Sequence, residues 1–314
     1  MSFEVRISGN NTDQAIILED TTSGTKAEIY RFGALLNNFS VVLESGLFNT
    51  VDGFQNPAGA TQTITPFFQS AKLSPFPCRL KLGKYHFGGK DFTIQKYYDA
   101  PNALHGLLYD AVFDIVSTAS DASGASVTLQ HHYNGSDAGY PFNYDIQVIW
   151  ELKQGNTLTV TTTVTHENPT AIPIADGWHP YFKLDDTIDS CTLQFNSNSM
   201  LEFDATLIPT GKIHDDKRFA DPAVLEGIFL DNCFALDTTV QQPVCILEGK
   251  QLRLTIIPDQ SYPYLQLYTP SHRKSIAIEN LSAAPDAFNN GIGLMRLEKN
   301  TPAIFSTTYR LETI

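Results

Sequence analysis

The chain has 314 residues, room for one oversized β domain or two ordinary ones, and its 42% hydrophobic and 18% charged residues exclude extensive disorder. A formal charge of −13, from 34 acidic against 21 basic residues, argues against a nucleic-acid partner, which needs clustered Lys and Arg, and against an anionic membrane surface. The opening MSFEVRISGNN has no basic segment followed by an apolar one, and no stretch approaches the run of about eighteen apolar residues that spans a bilayer. Cys78, Cys191, Cys233 and Cys245 form no C-x-x-C pair. The expectation is a cytoplasmic protein with buried, reduced thiols.

In chain order, period-two alternation dominates. Lys84–Phe87 and Phe92–Ile94 read as a hairpin around Gly88-Gly89-Lys90-Asp91. Asp145–Leu152 reads as a strand, Gln154-Gly155-Asn156 as a turn, and 157–165 as an almost pure alternation of Thr with Leu and Val. Asp221–Gly227 suggests a short helix, with Asp at the N-cap, Pro at the first helical position and Gly at the end. Leu252–Ile257, Tyr264–Tyr268 and Ser275–Glu279 return to the strand pattern. Gly and Pro are spread evenly, with no linker and no clear repeat. The expected architecture is all-β, a large antiparallel sandwich forming a single domain over 1–314.

Polar groups set among bulky apolar neighbours mark the candidate chemistry. They are Arg79 in Ser74-Pro-Phe-Pro-Cys-Arg79, His105 in Leu104-His105-Gly106, His179 in Asp176-Gly-Trp-His179-Pro-Tyr-Phe182, Asp231 in Leu230-Asp231-Asn-Cys-Phe234, and Glu279 after Ile276-Ala-Ile278. Taken singly, each suits an ordinary structural place: a hydrogen-bonded core histidine, a turn cap, a solvated strand position or a surface ion pair.

As an ordered set they resemble the aldose 1-epimerase (galactose mutarotase) family. Leu104-His105-Gly106 is similar to the family's first histidine motif, and Ser136-Asp137-Ala-Gly139-Tyr140-Pro141 to its G-Y-P turn. His179-Pro-Tyr-Phe182-Lys-Leu184 resembles its H-x-Y-F-N-L motif, with Lys183 replacing Asn. Asp231-Asn-Cys-Phe234 and Glu279 with Pro285–Asn289 resemble the segments carrying its sugar-binding aspartate and its catalytic glutamate. The resemblance implies a galactose mutarotase-like supersandwich with an open groove. In it His179 is the general acid, Glu279 the general base, and Arg79, His105 and Asp231 orient a sugar.

Opening a hemiacetal needs one group to take the C1 hydroxyl proton and another to protonate the ring oxygen, with no cofactor and no metal. This chemistry leads to the expectation that His179 and Glu279 share one concave face, several ångströms apart, with a pyranose ring between them and His105 and Asp231 reaching the same pocket. Trp178, Tyr181 and Phe288 are candidate platforms for the sugar's C–H faces. Two alternatives stay open. Arg31, Lys81 and Lys183 could build a phosphate pocket, as in the related hexose-6-phosphate mutarotases, or the groove could bind carbohydrate without turning it over. Metal hydrolysis is disfavoured, because no H-E-x-x-H spacing occurs and the adjacent His131 and His132 face opposite ways on a strand. A monomer is compatible with the family; the sequence does not determine the oligomeric state.

Overall fold

Alternation at period two builds most of the molecule, seen here in a computed structural model that describes residues 2–10, 13–237, 239–240 and 242–314. Thr157–Thr165 shows the pattern most clearly. Leu158, Val160, Thr162 and Val164 are buried and the threonines between them are half-exposed. Each buried Leu or Val contributes about 1.5–3 kcal/mol relative to an exposed one. This strand lies inside a nine-stranded antiparallel sheet, between Tyr144–Lys153 and Ala303–Thr313. The turn at 154–156 is as expected, with Gly155 and Asn156 both left-handed (φ 73° and 52°).

A second sheet carries the site. Its strands run Pro209–Asp215, Ser199–Phe203, Asp231–Ala235, Tyr264–Tyr268, Ile276–Leu281, Gly177–His179 and Ala71–Leu73, with Tyr181–Phe182 also pairing with Ile276–Leu281. A five-stranded meander, Phe3–Ser8 to Gly46–Asn49, supplies a third sheet. One apolar cluster joins the three. It takes Ile16, Leu18 and Ile29 from the meander, Val127, Val148 and Phe305 from the large sheet, and Phe234, Leu265, Leu267 and Ile278 from the site-bearing sheet. The architecture is therefore the antiparallel sandwich expected from the pattern.

The expected helix at 221–227 is absent. Ala223–Val224 pairs instead with Thr192–Phe195 at the edge of the large sheet. So short a segment does not recover the cost of nucleating a helix, and the free sheet edge offers ladder hydrogen bonds at once. The first helix is Pro57–Thr63, where the Asn56 side chain accepts from the Gly59 N–H and Pro57 starts the first turn. All four cysteines are buried free thiols. Among the described residues no helix is long and apolar enough to cross a membrane.

Candidate active site

Register decides which side chains meet. Gln266 stands opposite both Cys233 and Glu279, and Asp231 stands opposite Tyr268. Because faces alternate, Asp231, Cys233, Gln266, Tyr268 and Glu279 fall on one side of the sheet, while Phe234, Leu265, Leu267 and Ile278 fill the core on the other. The same rule splits Trp178 from His179. Trp178 packs edge-on against Trp150 at 5.4 Å in the core, and His179 faces the groove.

Arg79 and His105 reach the groove from outside this sheet, on the short strand Arg79–Leu80 and just after Asn102–Leu104. Cys78 and His105 both have left-handed backbones (φ 50° and 61°), and the His105 N–H donates to the Cys78 carbonyl at 2.9 Å. Such conformations cost a non-glycine residue of order 1 kcal/mol or more and gather where side chains are aimed for function. The next residue must be glycine. Gly106 has φ 74°, and a Cβ there would lie 2.4 Å from the Ser74 carbonyl oxygen. The G-Y-P turn is a brace. The Asp137 carboxylate accepts from the Gln95, Lys96 and Gly139 N–H groups, holding the loop that delivers Tyr97. The Tyr140 hydroxyl, buried in the core, donates to the Pro173 carbonyl.

The groove has a volume of about 330 Å³, within the lower range of small-molecule sites. His179 Nε2 lies 3.3 Å from Glu279 Oε1 on its floor, with both side chains nearly inaccessible. The rings of His105 and Tyr181 flank His179, edge-on at 4.9 Å and stacked at 5.0 Å. Gln266 Nε2 donates to Asp231 Oδ1 at 2.8 Å, and Arg79 Nη2 donates to Asp99 Oδ2 at 2.9 Å across the rim. Among the described groove-lining residues, three buried polar atoms have no partner within the protein: His105 Nδ1, His179 Nδ1 and Gln266 Oε1.

Burial dominates the electrostatics. It pushes His179 down to about 4 and His105 well below the ordinary imidazole value, the latter also repelled by His179 and Arg79. It raises Glu279 well above the ordinary carboxylate range, aided by the Asp231 charge and opposed by Arg79. Asp231 is raised by burial too, against the attraction of Arg79 and the hydrogen bond from Gln266.

All five residues singled out from the sequence, Arg79, His105, His179, Asp231 and Glu279, line this groove. Their separation differs from expectation. His179 and Glu279 are in contact, so no ring fits between them. The cause is that they occupy neighbouring strands, with Gly177 paired to Leu281, at hydrogen-bonding distance. Of the three aromatic candidates only Tyr181 lines the groove. Trp178 is in the core, and Phe288 packs among Phe76, Tyr85 and Tyr140. Pro66, Phe67, Tyr97, Asp99, Gln266 and Tyr268 also line it and were missed, and Cys78 and Leu104, read only as neighbours of Arg79 and His105, line it too. Gln266 and Tyr268 carried a signal, since they alternate with Leu265 and Leu267 in a buried strand. The others lie on loops or short strands whose placement no periodicity reveals.

A model of the family described as aldose 1-epimerase matches residues 14–310. The chain is 27% identical over 235 residues to uncharacterized protein YihR of Escherichia coli K12, covering 73% of this chain and 75% of that one. It is also 27% identical over 230 residues to the aldose 1-epimerase of Streptococcus thermophilus, covering 69% of this chain and 63% of that one. The crystal structure of a galactose 1-epimerase from Lactobacillus acidophilus superposes with a TM-score of 0.85 over 99% of both chains at 18% identity. A GalM/aldose epimerase homologue from C. elegans gives 0.82 over 99% of both chains at 21% identity.

Proposed function

The chain belongs to the aldose 1-epimerase family, and on that premise we propose that it is a single-domain cytoplasmic mutarotase interconverting the α and β anomers of a neutral free aldose such as galactose or glucose. The observation carrying the proposal is the His179–Glu279 contact of 3.3 Å on the floor of a sugar-sized groove, ringed by Arg79, His105 and Asp231.

Contact between acid and base suits this reaction. The two oxygens that exchange protons, the C1 hydroxyl and the ring oxygen, are bonded to the same carbon. One edge of the sugar can therefore present both oxygens to a touching pair. The Glu279 carboxylate takes the hydroxyl proton as the bond from C1 to the ring oxygen breaks, and His179 Nε2–H gives a proton to that ring oxygen. The aldehyde forms, the C1–C2 bond rotates, and closure on the other face reverses both transfers. Each transfer is worth about 10²–10⁴-fold when well placed.

The pair carries one proton throughout. Before ring opening it is imidazolium with carboxylate, and afterwards it is imidazole with carboxylic acid. In water the charged form is favoured, because imidazole is the stronger base. Burial lowers His179 and raises Glu279, which shifts the balance toward the neutral form that accompanies the open chain. The opposed shifts lower the cost of passing from the charged to the neutral form, which a reversible proton shuttle requires. Asp231 and Gln266 accept and donate hydrogen bonds to ring hydroxyls. Phe67, Tyr97 and Tyr268 offer apolar faces.

The lining charges favour a neutral substrate. Among the described residues Arg79 is the one lysine or arginine in the lining, and it faces Asp99, Asp231 and Glu279. The cations that could have gripped a phosphate lie elsewhere. Arg31 donates to the Phe113 carbonyl and to Asp114, Lys183 lies 3.9 Å from Asp52, and Lys81 is exposed outside the groove.

Polarimetry of freshly dissolved α-galactose and α-glucose, with the wild type and Glu279→Gln side by side, tests the proposal. Fast equilibration by the wild type alone supports it, and the ratio of the two rates gives the preference. Acceleration of hexose 6-phosphates in place of free sugars would replace the substrate. Sugar binding with no acceleration of any anomer would make the chain a carbohydrate-binding protein.

A further inference from the structure

Beneath the sugar groove a second kind of chemistry converges. Cys78, His105 and Glu279 come from three separate elements, and one ligand atom from each lies within 4.8 Å of the other two. Cys78 Sγ is 4.0 Å from Glu279 Oε2. His105 is 7% exposed, and its Nδ1 has no hydrogen-bond partner within the protein. We propose that these three side chains form a binding site for a divalent transition cation of the Zn²⁺ class, and that its occupation switches the groove off by taking Glu279 and His105 from the sugar.

The donor set is one thiol, one imidazole and one carboxylate, the soft-to-borderline mixture that selects Zn²⁺ or Co²⁺ over Mg²⁺ or Ca²⁺. Bond lengths of about 2.0–2.3 Å around a tetrahedral ion require the donor atoms to approach to roughly 3–4 Å of one another. The present spacing, within 4.8 Å, is wider by up to about 2 Å, so binding draws the three side chains inward. The fourth position opens to the groove, so the ion keeps a water there. Charge also balances. Thiolate and carboxylate together neutralise the ion, and the thiol proton leaves to solvent as the S–metal bond forms. Sequence spacing hides such a site, because the three residues are remote from one another in the chain and lie in no ligand motif.

Other histidine–carboxylate pairs, His86–Asp91, His132–Asp145 and His214–Glu202, are solvent-exposed and contain no sulfur. Absorbance separates them from the proposed site. Co²⁺ titrated into the full-length protein without sugar is expected to give a near-ultraviolet thiolate-to-cobalt charge-transfer band with the visible bands of a tetrahedral ion. The band is abolished by Cys78→Ser and survives serine at Cys191, Cys233 or Cys245. In turnover assays Zn²⁺ inhibits, a chelator restores the rate, and Cys78→Ser weakens inhibition at least about tenfold, since even an outer-shell loss typically costs that much. If Cys78→Ser fails to fold by circular dichroism, His105→Ala carries the binding test, with the apparent Co²⁺ affinity falling by a similar factor. A missing thiolate band, or Co²⁺ binding and Zn²⁺ inhibition unchanged by these substitutions, overturns the proposal. Only the kinetic consequence rests on the proposed role of Glu279. Cobalt bound through Cys78 in a protein that mutarotates no sugar would refute the proposed function and leave the metal site standing.

Discussion

Two buried acid–base pairs lie on adjacent strands of one sheet, and their surroundings separate structure from chemistry. Lys72 stands opposite Trp178 in the ladder, and Ala71 stands opposite His179. Lys72 Nζ is completely buried, 2.5 Å from Asp176 Oδ1, and also donates to Thr162 Oγ1 at 3.1 Å and the Gly177 carbonyl at 3.4 Å. The Trp178 ring lies 4.2 Å from the ammonium, and the Tyr262 hydroxyl donates to the same Asp176 oxygen. All three donors of Lys72 are used, and neither group meets solvent. His179 and Glu279 point to the opposite face, touch at 3.3 Å, and border a groove. Among the described residues the Nδ1 of His179 has no partner, and the Glu279 carboxylate otherwise meets the Cys78 thiol at 4.0 Å.

The difference teaches that burial alone does not mark a functional pair. Desolvation perturbs both pairs, lowering Lys72 to about 8 and raising Asp176, as it lowers His179 and raises Glu279. The Lys72 pair ties the site-bearing sheet to Thr162 of the large sheet across the core, and every Lys72 donor is spent inside the fold, with Asp176 Oδ2 alone left without a protein partner in a place no groove reaches. The His179 pair holds its hydrogen-bonding capacity in reserve for something that enters.

The largest expected effect breaks the comparison on its functional side. Glu279→Gln and His179→Asn should each lower kcat by about 10²–10⁴-fold with the circular dichroism spectrum retained. A residual rate within a few-fold of wild type would remove the pair from the mechanism. On the structural side, Lys72→Met leaves Asp176 buried without its cation and should lower unfolding free energy by about 3–5 kcal/mol in urea titration. The double change Lys72→Met with Asp176→Leu should restore most of that loss, because two apolar groups leave no unpaired charge. The folded fraction of Lys72→Met should keep its kcat; loss of turnover at full stability would give Lys72 a place in the chemistry.

Smaller effects sharpen the contrast within the groove. Asp231→Asn should reduce kcat/KM by about 10- to 100-fold, the worth of a hydrogen bond to a charged group, with little change in melting temperature. An unchanged kcat/KM would return Asp231 to a structural role held by Gln266. Asp99→Asn should be the mildest. Its bond to Arg79 spans a rim where the aspartate is half-exposed, so stability should change by less than about 1 kcal/mol in thermal unfolding. A larger loss would make that ion pair part of the scaffold.

Much of this molecule was legible because its strands are long and one-sided. The alternation in 157–165 fixes which residues face inward with no knowledge of the neighbours, and Tyr264–Tyr268 was read to its ends. The five candidate residues stood out as polar groups in apolar strands, but singly each also suited a structural place, and only as an ordered set resembling a family did they point to one site. The Asp221–Gly227 segment failed because its cap-like residues are a weak local preference, which a neighbouring sheet edge overrides. Gln266 was readable from its strand, whereas Phe67, Tyr97 and Asp99 reach the groove on loops and short elements. The sequence by itself thus determined the class of fold and the inward and outward faces of its strands, and it singled out the histidine and the glutamate proposed as acid and base. Only the tertiary structure decided that His179 and Glu279 touch, that Arg31, Lys81 and Lys183 stay out of the groove lining while Arg79 joins it, and that Cys78 joins His105 and Glu279. Those outcomes depend on which strands become neighbours and in what register, and pairing between distant segments leaves no trace in local periodicity.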